Sequence, residues 1–291
     1  MALSVVFALL AAGSNALATV LQRRAALTVP LAQGFSSKLI TSLAHRPVWL
    51  AGLAAVMCAA CFQALALFNG RLSIVQPIFV LELPLALVIA SVILRRRLPG
   101  RGWVGVACIV VGVGTALAAA APSGGARQAS MARWLPALIL CVAVSAVLIC
   151  TALRRPAGKA RAACFATTAA IGYALTAALM KTATYAWDTA GPKGFFLCWQ
   201  TYGFAAAGVA ALFLLENALQ SGPLAASQPA LTMGDALLSI AFGVTLYGER
   251  VRGGWWLVPE LAGAALTLAG AFVLATTPLA KSLLAPLPDQ A

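Results

Sequence analysis

Two acidic side chains stand where this chain can least accommodate them. Glu82 and Asp235 each lie near the middle of a long apolar run, VQPIFVLELPLALVIA and SQPALTMGDALLSIAF. A carboxylate at the centre of a bilayer costs about 2.5–3.5 kcal/mol even on a lenient insertion scale, so an acid there is a functional candidate by default. Gln228, Thr232, Asp235 and Ser239 fall at i, i+4, i+7 and i+11, a polar stripe along one helical face that should line a wet cavity. Glu82 has Ile78, Ala86 and Ile89 on its own face, so its partner comes from another helix or it carries a proton. Binding and releasing a proton or a cation is the chemistry such a pair can do. The plainer reading is that each acid pairs with an Asn, Gln or Tyr and only fixes helix packing.

Other polar groups fall within apolar runs, among them Asn15, Gln76 and Tyr173. With Glu82, Asp235, Gln228 and Thr232 they are the candidates for contact with a substrate or coupling ion. Pro77, Pro84 and Pro229 each withhold a backbone N–H and free a carbonyl, so their helices can bend or open where a ligand sits, or the kinks serve packing alone.

Catalysis and cofactors find little support. The single histidine, His45, sits in a charged loop, no acid pair has local spacing for a metal, and no phosphate-binding G-x-x-x-x-G-K-[ST] loop occurs. The chain therefore reads as a non-enzyme with no catalytic residues and no cofactor. The seven cysteines all fall in apolar stretches, where the residue behaves as a small hydrophobe; Cys58 and Cys61 form a C-x-x-C without a second pair or a nearby His. The net charge of +13 is not a nucleic-acid footprint, because the basic residues sit in short gaps between apolar runs rather than on one folded face. Anionic lipid headgroups are the expected counter-charge.

Those gaps define the elements that must position the candidates. Hydrophobic residues make up 62% of the chain and charged ones 9%, against roughly 45–50% and about 25% in soluble domains. The apolar runs reach the length of about 20 residues that a helix needs to cross a bilayer. Nine spans are expected: 2–21, 48–68, 73–94, 102–121, 133–151, 162–180, 195–215, 223–246 and 255–276. The stretch 25–47 reads as a long loop, with or without an interfacial helix, or as a tenth span. The first charges, Arg23 and Arg24, follow the first apolar run instead of preceding it, so that run is expected to stay as a membrane helix rather than act as a cleaved signal. Lys and Arg concentrate on one set of alternate loops, which places the N-terminus outside and the C-terminus in the cytoplasm of a plasma-membrane protein. On that count Arg71, Lys181 and Arg250 belong to the outer side.

An internal repeat is legible as well. Ala66, Leu67, Gly70, Leu72, Gln76 and Pro77 recur as Ala218, Leu219, Gly222, Leu224, Gln228 and Pro229. Gly105 and Gly112 recur as Gly263 and Gly270, and Ala16, Leu17, Leu21 and Arg23 as Ala174, Leu175, Leu179 and Lys181. Spans one to four and six to nine are thus read as duplicates, with span five as connector. An odd number of crossings separates the copies, so the second is inverted, a recurrent plan of secondary transporters with the site near the midplane. The repeat pairs Asn15 with Tyr173 and Gln76 with Gln228, and puts Glu82 and Asp235 one position apart in equivalent spans. The resulting fold class is all-α: a polytopic membrane bundle of about nine helices. Residues 1–121 form the first repeat, 122–161 the connector, 162–276 the inverted repeat and 277–291 a short cytoplasmic tail. The glycines at 105, 112, 263 and 270 make small-residue faces for close helix packing, inside the monomer or in a homodimer.

The segments GSNALATVLQRRAAL, VWLAGL and ALFNGRLSIVQPIFVLELPLALVIASVILRRRLPG, with their second-half counterpart ALQSGPLAASQPALTMGDALLSIAFGVTLYGERVRGGWW, resemble the drug/metabolite transporter superfamily. Nine spans with an Arg-rich loop after the first are similar to its NIPA-type magnesium transporters rather than its ten-span EamA-type exporters. The chain nevertheless carries Gln76-Pro77 and Gln228-Pro229 where the magnesium transporters carry Thr-Pro. The resemblance implies secondary transport of a small metabolite or cation by alternating access. A magnesium or cation pathway and a non-transporting membrane scaffold are the alternatives. Glu249 and Arg250, in the Gly-Glu-Arg segment, read as a local loop contact.

Overall fold

The computed structural model describes residues 2–26, 47–93, 95, 97–222 and 224–280. Most of the expected 25–47 loop and residues 281–291 of the tail lie outside the described residues, as do the side chains of Arg23 and Gln228. The chain forms α1 (Ala2–Ala26), α2 (Pro47–Asn69), α3 (Leu72–Phe79), α4 (Glu82–Ile93) and α5 (Gly100–Ala120), then α6 (Met131–Leu153) and α7 (Lys159–Leu197). α8 (Trp199–Ser221), α9 (Leu224–Thr245) and α10 (Leu257–Ala275) complete the helices. Two-residue strands β1 (Ser123–Gly124) and β2 (Glu249–Arg250) pair antiparallel, Ser123 with Arg250 and Gly124 with Glu249.

Apolar side chains on every face leave helix as the structure that satisfies each backbone group within the segment. The result is a multi-pass membrane bundle. Among the described residues, eight helices, with α3 and α4 together as one, are long and apolar enough to cross a bilayer; in α9 the apolar portion is the shorter stretch Pro229–Thr245.

The third span is interrupted in its middle. Pro84 has no N–H to return to the Val80 carbonyl, and the chain passes through a tight turn in which the Val80 and Leu81 amides bond Pro77 and Ile78 oxygens at 3.3 and 3.0 Å. α4 then starts at Glu82, placing that acid at the break. By contrast, α9 continues through Pro229.

α7 corrects the expectation that the sixth span stops at residue 180. It runs unbroken to Gly191, whose φ of 62° kinks it ahead of Pro192. Lys181, expected on an outer loop, is thereby buried in a helix. Trp134, at a span end where an aromatic belt is usual, is also fully buried, edge-on to Trp199 with ring centroids 5.6 Å apart. Trp103, Trp255 and Trp256 remain exposed.

The two larger of three apolar clusters among the described residues join most of the helices. One joins Leu72, Val75 and Ile78 of α3 to Ile171 and Leu179 of α7 and Phe242 of α9. The other joins Val20 of α1 and Leu87 of α4 to Ile109 of α5 and Leu274 of α10. The small-residue stripes meet inside this second region: a Cβ on Gly263 would stand 2.6 Å from the Gly112 carbonyl oxygen and from the Ala116 nitrogen, and one on Gly270 would stand 2.7 Å from the Gly105 oxygen. α5 and α10 therefore touch through their backbones within one chain. Because a backbone cannot retreat as a side chain can, Gly263→Val should cost at least the roughly 1–3 kcal/mol of ordinary overpacking. Gly114→Ala, whose Cβ would meet nothing within 4 Å, should melt like the parent; thermal melting of the two purified variants checks the difference.

Candidate functional site

Four of the sequence candidates gather where α1, α4, α7 and α9 face one another. The Asn15 side chain of α1 lies beside the Glu82 carboxylate across the helix interface. Asp235 of α9 is near enough to Glu82 for the two charges to act on each other, and Tyr173 of α7 feels both, with Glu216 of α8 acting more weakly. Ser239, one turn after Asp235 and fully buried, donates to Asp235 Oδ1 at 3.3 Å. Asn15, Glu82, Tyr173, Thr232 and Asp235 are each only partly buried, although protein surrounds both acids. The group is thus neither sealed in the apolar core nor open at the surface.

Of the remaining candidates, Thr232 lies one turn before Asp235 and its hydroxyl reaches the Pro229 carbonyl at 3.5 Å. Gln76 sits across the helix break from Glu82, 3% exposed, with its amide nitrogen lacking a hydrogen-bond partner among the described residues. Such a buried donor costs about 1–3 kcal/mol. No group of three or more His, Cys, Asp or Glu side chains gathers among the described residues. Cys58 and Cys61 are free thiols on an exposed face of α2.

A second polar centre, at the end of the bundle where β1 and β2 lie, was not legible as such. Glu249 is not a local loop contact. Its Oε1 accepts from the Leu72 amide at 2.9 Å and from Lys181 Nζ at 2.5 Å; its Oε2 accepts from the Ser73 amide at 3.0 Å and the Ser73 hydroxyl at 2.5 Å. The carboxylate thus caps the N-terminus of α3, where the helix dipole favours negative charge and Arg71 supplies no side-chain cap. Burial alone would raise the Glu249 pKa, but the Lys181 charge, the Lys181 hydrogen bond and the Ser73 bonds together hold it below the ordinary value. Lys181 also lies 4.3 Å over the Tyr247 ring, and the Tyr247 hydroxyl bonds Thr182 at 2.8 Å and donates to the Ala178 carbonyl. Gly243 is required here, since a Cβ would collide with the Ser73 hydroxyl and come within 2.5 Å of Glu249 Oε2.

Over 253 residues, 86% of each chain, the sequence is 28% identical to a protein of Corynebacterium glutamicum described as uncharacterized. That relative brings no activity with it. No family model and no solved structure matches the chain.

Proposed function

We propose that this chain is a secondary transporter of the drug/metabolite transporter type, moving a small metabolite or cation across the plasma membrane by alternating access between two inverted four-span repeats. The observation that carries the reading is the approach of Glu82 to Asp235, two partly buried acids on different helices, beside a broken helix. Two carboxylates in such surroundings repel, and a proton or cation bound between them relieves the repulsion.

Helix pairing supports the nine-span inverted arrangement. α1 packs on α2 as α7 packs on α8, α1 meets the third span as α7 meets α9, and the third span meets α9 while α5 meets α10. That is the pattern a two-fold axis in the membrane plane would generate, with α6 outside it as connector. In this reading the Glu249 end faces outward and the Arg-rich loops face the cytoplasm.

A magnesium or other cation pathway is the second reading, favoured by the same two carboxylates and by the Val80 carbonyl freed at the break, since hard cations take oxygen ligands. The test is reconstitution in liposomes with solutes first selected by thermal stabilisation of the purified protein. At least one stabilising amine, amino acid, nucleoside or magnesium salt should be moved, and a proton gradient should change its rate. Stabilisation without movement of any solute would favour a membrane scaffold.

A further inference from the structure

A cavity of about 290 Å³ opens at the Glu249 end of the bundle. Its polar wall is built by Asn69 and Arg71 at the α2–α3 junction, Arg127 after β1, and Lys181, Thr184 and Tyr185 of α7. Three of these are cations drawn from three separate elements, and their charges are unequally answered. Lys181 is matched by Glu249, whose carboxylate is fully committed to four bonds. Arg127 has a loose, exposed contact with Asp188 at 3.5 Å. Arg71 has no carboxylate partner among the described residues: its Nε and Nη1 donate to the carbonyls of Gly124 and Pro122 at 2.8 and 3.0 Å. Those bonds fix the guanidinium plane without cancelling its charge, and Arg71 is near enough to Lys181 for the two cations to repel.

We propose that this cavity binds a small oxyanion, a carboxylate or phosphate group, between Arg71 and Arg127. A guanidinium held in one plane presents its remaining N–H donors as a fork, the geometry that carboxylate and phosphate oxygens accept. An anion there also relieves the Arg71–Lys181 repulsion. The volume sits at the small end of ligand pockets, about 300–1,000 Å³, so a small acid or a single headgroup fits and a drug-sized molecule does not. The Gly124 and Gly125 backbone, with φ of 65° and 98°, closes one side of the cavity without adding side chains. The site is distinct from the Glu82–Asp235 pair and requires no transport.

Equilibrium binding decides it. The purified full-length protein in neutral detergent is melted with increasing sodium phosphate or succinate against chloride of equal ionic strength. A saturable rise in melting temperature is expected. Arg127→Gln should weaken the midpoint about tenfold, the loss of one charge-assisted hydrogen bond, and Arg71→Gln should remove the rise. Arg127 is exposed, with Asp188 and the Phe68 ring as its contacts, so its variant keeps the fold even if Arg71→Gln does not. A parallel arm compares neutral nanodiscs with nanodiscs containing phosphatidylglycerol. A rise confined to the anionic lipid, and weakened by Arg127→Gln, assigns the oxyanion to a headgroup. The proposal is overturned by an unsaturable rise, by a rise identical in Arg127→Gln and the parent, or by no response to either soluble or lipid oxyanions.

Discussion

Glu249→Gln should lower the stability of the protein by about 3–5 kcal/mol, the cost of leaving one buried charge without its partner. The amide cannot neutralise Lys181, whose side chain is 6% exposed, and it puts an N–H₂ group where all four contacts donate. Lys181→Met should cost less, because Glu249 keeps the Leu72 and Ser73 donors and the N-terminal end of α3. The double variant should then be better than the sum of the two single losses, the mark of a direct interaction. The same pair sets an acid limit. Because Glu249 is held below its ordinary value near 4.5, its contribution is complete above that pH and is lost as pH falls through the depressed value of the folded state. Thermal melts of the parent from pH 7 to pH 3 should show that loss, and Glu249→Gln should show less of it. A melting temperature for Glu249→Gln equal to the parent's at pH 7 would contradict the assignment.

Glu82→Gln and Asp235→Asn should behave in the opposite sense. Each keeps shape and hydrogen-bonding capacity while removing a charge that is expensive in the membrane, so melting should stay level or rise. Transport should nevertheless fall about 10- to 100-fold, since a hydrogen bond to a charged group contributes about 1.5–3 kcal/mol. Stability and activity then part company, as they do where a site is kept at the expense of the fold. An acid that served only packing would give the reverse: a lower melting temperature with transport in proportion to folded protein. Uptake per folded molecule in liposomes, measured beside the melts, separates the two.

The features legible in the sequence are those set by local physics. Apolar run length located most of the helices. Pro77, Pro84 and Pro229 were equal candidates for a bend, and the structure breaks ahead of Pro84 while α9 runs through Pro229; the glycines at 105, 112, 263 and 270 marked a close helix contact. The acids stood out because a charge in an apolar run is costly, although the approach of Asn15 to Glu82 could not be foreseen from either helix alone. Lys181 shows why the rest was hidden. A hydropathy reading ends a span at a lysine, since an unpaired ammonium in lipid is unfavourable; the partner that keeps α7 going lies 68 residues away. Gly243 likewise looks like any membrane-helix glycine until Ser73 and Glu249 are brought against it. Trp134 sat at a span end in sequence, yet that end faces Trp199 rather than the interface.

Side-specific thiol labelling tests most directly whether the two acids line a water-filled crevice between antiparallel halves. In a chain whose seven cysteines are replaced, single cysteines at positions 82 and 235 should react with a small water-soluble reagent, and tags on the two chain ends should be reached from opposite faces. Cysteines at both positions that react only with a lipid-soluble reagent, or chain ends reached from one face, would contradict it.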